Sequence, residues 1–145
     1  MILFSSELEL RLENKIKMNK LIIDVVNEKI FLMIITNKNI YNITYDNTKI
    51  NYEKLTMIID DFLKTKSLKI DDISKIYINI GPGSFAGIRN SLSIVKAINV
   101  ARKIDYYCYS LKDFNDQKDI KYEDIPNLCD KFKIKKNLIK PIYLS

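Results

Sequence analysis

The sequence has no histidine, no tryptophan, two cysteines, three arginines and three glycines in 145 residues. Without histidine there is no Ser-His-Asp or Cys-His catalysis and no imidazole metal site. Cys108 and Cys129 are too few for a zinc cage or a disulfide framework, so a reduced, cytoplasmic chain is expected. No run reaches the ~20 apolar residues of a membrane span. No signal peptide is visible either: Met1–Phe4 is apolar but short, and charges alternate along Glu7–Lys17.

What is present suits one domain with an ordinary core: 47% of the residues are apolar, in a chain of single-domain length. The net charge of +6 comes from twenty-one lysines and three arginines against eighteen acids. The lysines are spread among Ile and Asn, which reads as a solvated lysine-rich surface rather than a dedicated nucleic-acid face. The local exception is Lys131, Lys133, Lys135, Lys136 and Lys140, a tail expected to give at most weak electrostatic affinity for RNA.

Residues 1–18 read as an extension: a short extra strand or helix, or an upstream segment with Met18 as the true start. Three strand-like runs follow, Lys20–Val26, Lys29–Thr36 and Asn39–Tyr45, broken at Asn27-Glu28 and Asn37-Lys38. Breaks this short predict an antiparallel meander. The first run is apolar almost throughout around Asp24, as in a strand covered on both faces. Leu55, Ile58, Ile59, Phe62 and Leu63 form a helical stripe, predicting a helix over Tyr52–Lys66 with Asn51 as its N-cap. A fourth strand, Lys75–Ile80, leads into the glycine window and a second helix ending near Arg102. A fifth strand, Asp105–Tyr109, is followed by a third helical start at Ser110–Phe114, with Ser110 and Asp113 as a capping box. Strands four and five, joined through a helix, should be parallel. Beyond Phe114, Ile125, Leu128, Cys129 and Phe132 suggest one short helix, and Leu138–Leu144 an added edge strand.

All three glycines fall within Gly81-Pro82-Gly83-Ser84-Phe85-Ala86-Gly87. A strand, then glycines, then a helix is where backbone amides converge on an anion, so Gly81, Gly83, Ser84 and Gly87 are a candidate phosphate loop. The window is no Walker A motif, and it fits the dinucleotide fingerprint poorly. A tight strand-to-helix turn with close backbone packing explains the same glycines equally well.

Ile80-Gly81-Pro82-Gly83-Ser84-Phe85-Ala86-Gly87-Ile88-Arg89 resembles the Gly-Pro-Gly-Ser-Phe-Thr-Gly-Leu-Arg signature of the TsaB (YeaZ) family, tRNA threonylcarbamoyladenosine biosynthesis factors of the actin-like ATPase superfamily. Asp24 on the first strand, Asn51-Tyr52-Glu53-Lys54-Leu55, Ser110-Leu111 and the closing Pro141-Ile142-Tyr143-Leu144 are similar to further family features. The resemblance covers about Lys20–Phe114. It implies an α/β fold: one actin-like (ribonuclease H-like) lobe over 19–114, a five-stranded mixed sheet in the order β-β-β-α-β-α-β-α, with 115–145 a short tail in place of a second lobe. There are departures. Asp24-Val25-Val26 stands where the family has Asp-Thr-Ser, and Ala86 replaces Thr, which removes hydroxyls that would face a phosphate.

The resemblance further implies a non-catalytic subunit that supports TsaD in forming N6-threonylcarbamoyladenosine at position 37 of tRNAs reading ANN codons. TsaE and tRNA would be reached through TsaD. No catalytic or metal-ligating residue is expected, and no cofactor bound tightly by this chain alone; ATP or ADP would sit at the interface with TsaD. The partner surface would be the two long helices, with Glu53, Met57, Phe85, Arg89, Asn90 and Ser93 as contacts, and the same helices could self-pair. Core filling by Met57 is an equal alternative. Asp24 is better read as a turn acceptor than as a metal or nucleotide relic, and Tyr106, Tyr107 and Tyr109 as packing residues. The rival reading is a nucleotide-binding protein or enzyme using Gly81–Gly87 as a phosphate cradle.

Overall fold

A computed structural model describes residues 18–115 and 117–139. The expectations for residues 1–17 and for most of the closing strand Leu138–Leu144 lie outside them. The described chain runs β1 (Lys20–Asp24), β2 (Lys29–Ile35), β3 (Ile40–Asp46), α1 (Lys49–Glu53), α2 (Leu55–Thr65), β4 (Lys75–Asn79), α3 (Phe85–Arg102), β5 (Asp105–Tyr109) and α4 (Ile125–Lys131), with 3₁₀ turns at Ile70–Asp72, Leu111–Phe114 and Tyr122–Asp124.

The five strands form one mixed sheet in the order β3-β2-β1-β4-β5. β1 pairs antiparallel with β2 and parallel with β4, and β4 pairs parallel with β5. The helical crossover from β4 to β5 therefore produces the expected parallel pair. β1 lies at the centre, and its near-continuous apolar run is explained by two cores. Leu21 and Ile23 face α2 and α3, packing with Leu55, Ile59, Phe62, Ile88, Leu92 and Val95. Ile22, between them, faces the other way, against Met33, Tyr77, Tyr109, Phe114, Ile125 and Leu128. Period-2 alternation sends each strand's side chains to opposite faces, so a central strand needs apolar residues at every position.

The second core is built by the segment after β5. Ser110 Oγ accepts from the Lys112 amide and Asp113 accepts from the Ser110 amide, the expected capping box, though it opens a single 3₁₀ turn rather than a full helix. The short helix expected around Ile125 and Leu128 is α4. Past it, the Asn137 amide donates to Tyr106 O at 2.7 Å, and Lys136 bridges antiparallel to Tyr107, which covers the outer edge of β5.

The first helix differs from its expected form. It begins at Lys49 rather than Tyr52, the cap is Thr48 rather than Asn51, and it breaks at Lys54 into α1 and α2. Thr48 Oγ1 accepts from the Asn51 amide, while the Asn51 side chain donates to Asp46 O at 2.7 Å. Asn90 of α3 donates its side-chain amide to Tyr52 O. The Lys54 amide donates to the same carbonyl and to Asn51 O, which closes the last turn of α1 at the break.

Candidate functional site

The carboxyl ends of β1, β4 and β5 open on a cleft of about 360 Å³, the position at which open α/β sheets hold ligands. Asp24 ends β1 there and is 3% exposed. Its Oδ1 accepts from the Val26 amide at 3.1 Å, closing the turn out of the strand. Its Oδ2 accepts from Asn79 Nδ2 at 3.1 Å and from the Tyr122 hydroxyl at 3.0 Å. Asn79 Oδ1 accepts in turn from the Gly81 amide at 3.0 Å. The buried carboxylate thus has three donors, as a buried charge requires.

Tyr122 ties the segment after β5 back to β1. Its ring stacks on Phe31 with centroids 3.8 Å apart. Burial, and after it the nearby Asp24 charge, raise its phenol above the ordinary tyrosine range. Burial likewise raises Tyr109, well above that range. Both hydroxyls therefore stay protonated at neutral pH. The Tyr109 hydroxyl is buried against the cleft without a hydrogen-bond partner among the described residues. Lys112 and Lys121 also line the cleft. Nothing local in the sequence marks Tyr122, because its partner Asp24 is 98 positions away.

The glycine window lies beside this cleft. A Cβ on Gly83 would fall 2.7 Å from Val26 Cβ and closer still to Val26 O, while the Ser84 amide donates to that same carbonyl at 3.1 Å. Gly81 has φ +101° and its Cβ would meet Gly83 N and the Ile88 side chain at 3.0 Å. Gly87 is looser: the nearest atom to its Cβ would be Ser84 Oγ at 3.2 Å. Close packing of the loop on the β1–β2 turn thus accounts for Gly83 directly. Of the window's amides, those of Gly81 and Ser84 are engaged within the fold, so an anion there would have to use others.

Among the candidate partner residues, Met57 is 63% and Phe85 46% exposed. Glu53, Arg89 and Ser93 are also exposed. The Arg89 guanidinium lies 5.2 Å from the Phe85 ring centroid, and Ser93 Oγ donates to Arg89 O. Asn90 is half-buried and spent on Tyr52 O. Two further exposed apolar residues, Ile50 on α1 and Val100 on α3, extend the same helices' outer surface. They escape a stripe analysis because it finds the buried face and leaves the opposite one unexamined. No group of three or more acids or cysteines that could hold a metal occurs among the described residues, and no described helix is long and apolar enough to cross a membrane.

The architecture has close counterparts among solved structures. YeaZ from Pseudomonas aeruginosa matches with a TM-score of 0.59 and 17% identity, over 64% of this chain and 44% of that one. A structure described as an uncharacterized protein with similarity to peptidase YEAZ from Pseudomonas aeruginosa matches with a TM-score of 0.60 and 17% identity, over 64% of this chain and 43% of that one. The chain has a YeaZ-like fold. It spans less than half the length of the two structures it matches. A family model described as "TsaD: tRNA N6-adenosine threonylcarbamoyltransferase" matches residues 49–110, from α1 to the residue after β5. No curated protein matches the sequence. The family-model match spans the glycine window and α3, so it falls on the stretch from which the resemblance of Ile80–Arg89 is drawn.

Proposed function

We propose that this chain is a cytoplasmic, non-catalytic subunit that binds and supports TsaD in forming N6-threonylcarbamoyladenosine at position 37 of tRNAs reading ANN codons, reaching TsaE and tRNA through TsaD. The observation that carries this reading is the YeaZ-like fold together with the family-model match over residues 49–110, the stretch that holds α1, α2 and α3. Met57 on α2 and Phe85 on α3 are exposed apolar side chains available to such a partner, and Arg89 beside Phe85 supplies an interface-type anchor. The spent Gly81 and Ser84 amides argue against tight nucleotide binding by the chain alone, and ATP or ADP would be held at the TsaD interface. Co-expression with TsaD tests the proposal: a stable complex at micromolar concentration is expected, and a chain that stays monomeric or only self-pairs beside TsaD overturns it.

The second reading, a nucleotide-binding protein or enzyme, is favoured by the cleft at the strand ends, lined by Asp24, Lys112 and Lys121, and by the transferase description of the matched family model. Calorimetry of the isolated chain with ATP separates the two. Tight binding without a partner would favour the nucleotide reading.

A further inference from the structure

Across the sheet from α2 and α3, the fold gathers lysines that are scattered in the sequence. Lys75 Nζ lies 5.8 Å from the Tyr107 ring centroid, and Tyr107 stacks on Tyr77 at 5.1 Å. Lys136 bridges to the Tyr107 backbone and reaches Asp105 at 3.6 Å. Lys131 Nζ lies 5.5 Å from the Phe132 ring centroid. Lys133 and Lys135 are exposed on either side of Ile134, which packs on the same apolar cluster as Tyr107 and Phe132. Five lysines from two distant segments therefore surround one apolar cluster, three of them, Lys75, Lys131 and Lys136, held there by ring or ion-pair contacts. Among the described residues, Lys136 is the one of the five in an ion pair; Lys75, Lys131, Lys133 and Lys135 have none.

We infer that this lysine corner, at the β5 edge and the end of α4, binds a nucleic-acid phosphate backbone. Lysine ammonium groups are point charges suited to phosphate oxygens but lack the planar fork that reads bases. Binding is therefore sequence-independent and driven by counterion release. The rings of Tyr107 and Phe132 are half-buried and packed on their neighbours, so they hold lysine stems and do not form a stacking platform. The corner is separated by the sheet from the helices proposed to meet a protein partner, so both could be occupied together. The inference does not depend on that partner.

Titration of a labelled RNA hairpin and a DNA duplex of the same sequence with the isolated chain tests it. Four to five neutralised duplex phosphates give a log–log salt slope of about −3.6 to −4.5, a loss of ~150- to 500-fold in affinity between 50 and 200 mM salt. The quadruple substitution K131Q/K133Q/K135Q/K136Q should flatten that slope and abolish most binding. A control of equal charge change at Lys38, Lys49, Lys54 and Lys69, exposed residues elsewhere on the surface, should leave binding within about twofold of a uniform charge effect. RNA preferred over DNA identifies RNA as the source of the phosphates, and equal affinity identifies any duplex backbone. No binding at 50 mM salt, equal loss in the control variant, or binding to phosphatidylserine vesicles but not to nucleic acid would each overturn it. Failure to bind TsaD would leave all these outcomes readable.

Discussion

Replacing Gly83 with alanine isolates what the glycine window does. The new methyl would be wedged against the Val26 backbone, 2.9 Å from its carbonyl carbon and 2.7 Å from its Cβ, in contacts that real side chains do not make. Unlike a flexible side-chain tip, this neighbour is fixed by two bonds, the Ser84 amide to Val26 O and the Val26 amide to Asp24. Relief requires separating the glycine loop from the β1–β2 turn. Overpacking costs about 1–3 kcal/mol, and the Ser84–Val26 hydrogen bond adds about 0.5–1.5 kcal/mol if it breaks. The expected loss is about 1.5–4.5 kcal/mol, or ~3–18 °C in Tm for a chain of this size. Gly87→Ala is the internal control. Its methyl meets first a serine hydroxyl that can rotate, and alanine in α3 regains up to about 1 kcal/mol of helix propensity. Chemical denaturation of both variants, monitored by circular dichroism, should place Gly83→Ala far below wild type and Gly87→Ala within about 1 kcal/mol of it. Equal, small effects at the two positions would refute the close-approach account and return the window to a purely conformational role.

Other consequences follow from the cleft and the outer helices. Tyr122→Phe removes a hydrogen bond to a buried carboxylate and should cost about 1.5–3 kcal/mol, whereas Tyr109→Phe deletes a hydroxyl with no partner and should be neutral or stabilising; urea unfolding distinguishes them. Because both phenols are raised in the folded state, the unfolded chain ionises first as pH rises. Stability should hold below pH ~10, the ordinary tyrosine value, and fall above it, and the double Phe variant should lose part of that slope. Phe85→Glu and Met57→Lys change exposed side chains, so they should change stability by no more than the ~0.5 kcal/mol of ordinary surface changes while weakening TsaD co-purification at least tenfold.

The strands were legible because their pattern is local. β5 falls where Asp105–Tyr109 is expected, and the two Asn-containing breaks lie between strands that pair antiparallel. The split of the first helix was not legible, since no Gly or Pro marks Lys54 and the side chain that bonds Tyr52 O beside the break, Asn90, is 38 positions away. The second core was legible only as a suspicion of one short helix: Ile125, Leu128 and Cys129 show a short apolar period, but what they cover is decided by the sheet. The cleft was half legible. Asp24 as a turn acceptor follows from its place after an apolar strand, whereas its partners Asn79 and Tyr122 come from positions with no pattern of their own.

The scarcity of glycine itself sharpens the reading of the window. Among the described residues, six that are not glycine, Ser67, Lys103, Asn115, Asp119, Lys133 and Asn137, take left-handed backbone conformations. These cost an L-residue about 1–2 kcal/mol each, less for Asn and Asp. A chain that uses lysine and serine for such turns is not reserving glycine for backbone freedom in general. Of its three glycines, Gly81 alone has a left-handed φ, and its Cβ would also be crowded. Gly83 has no such φ and is kept where no side chain fits. Space beside the Val26 backbone, more than conformational freedom, is therefore what the Gly83 position requires, and the requirement fixes how the first turn of α3 sits against the end of β1.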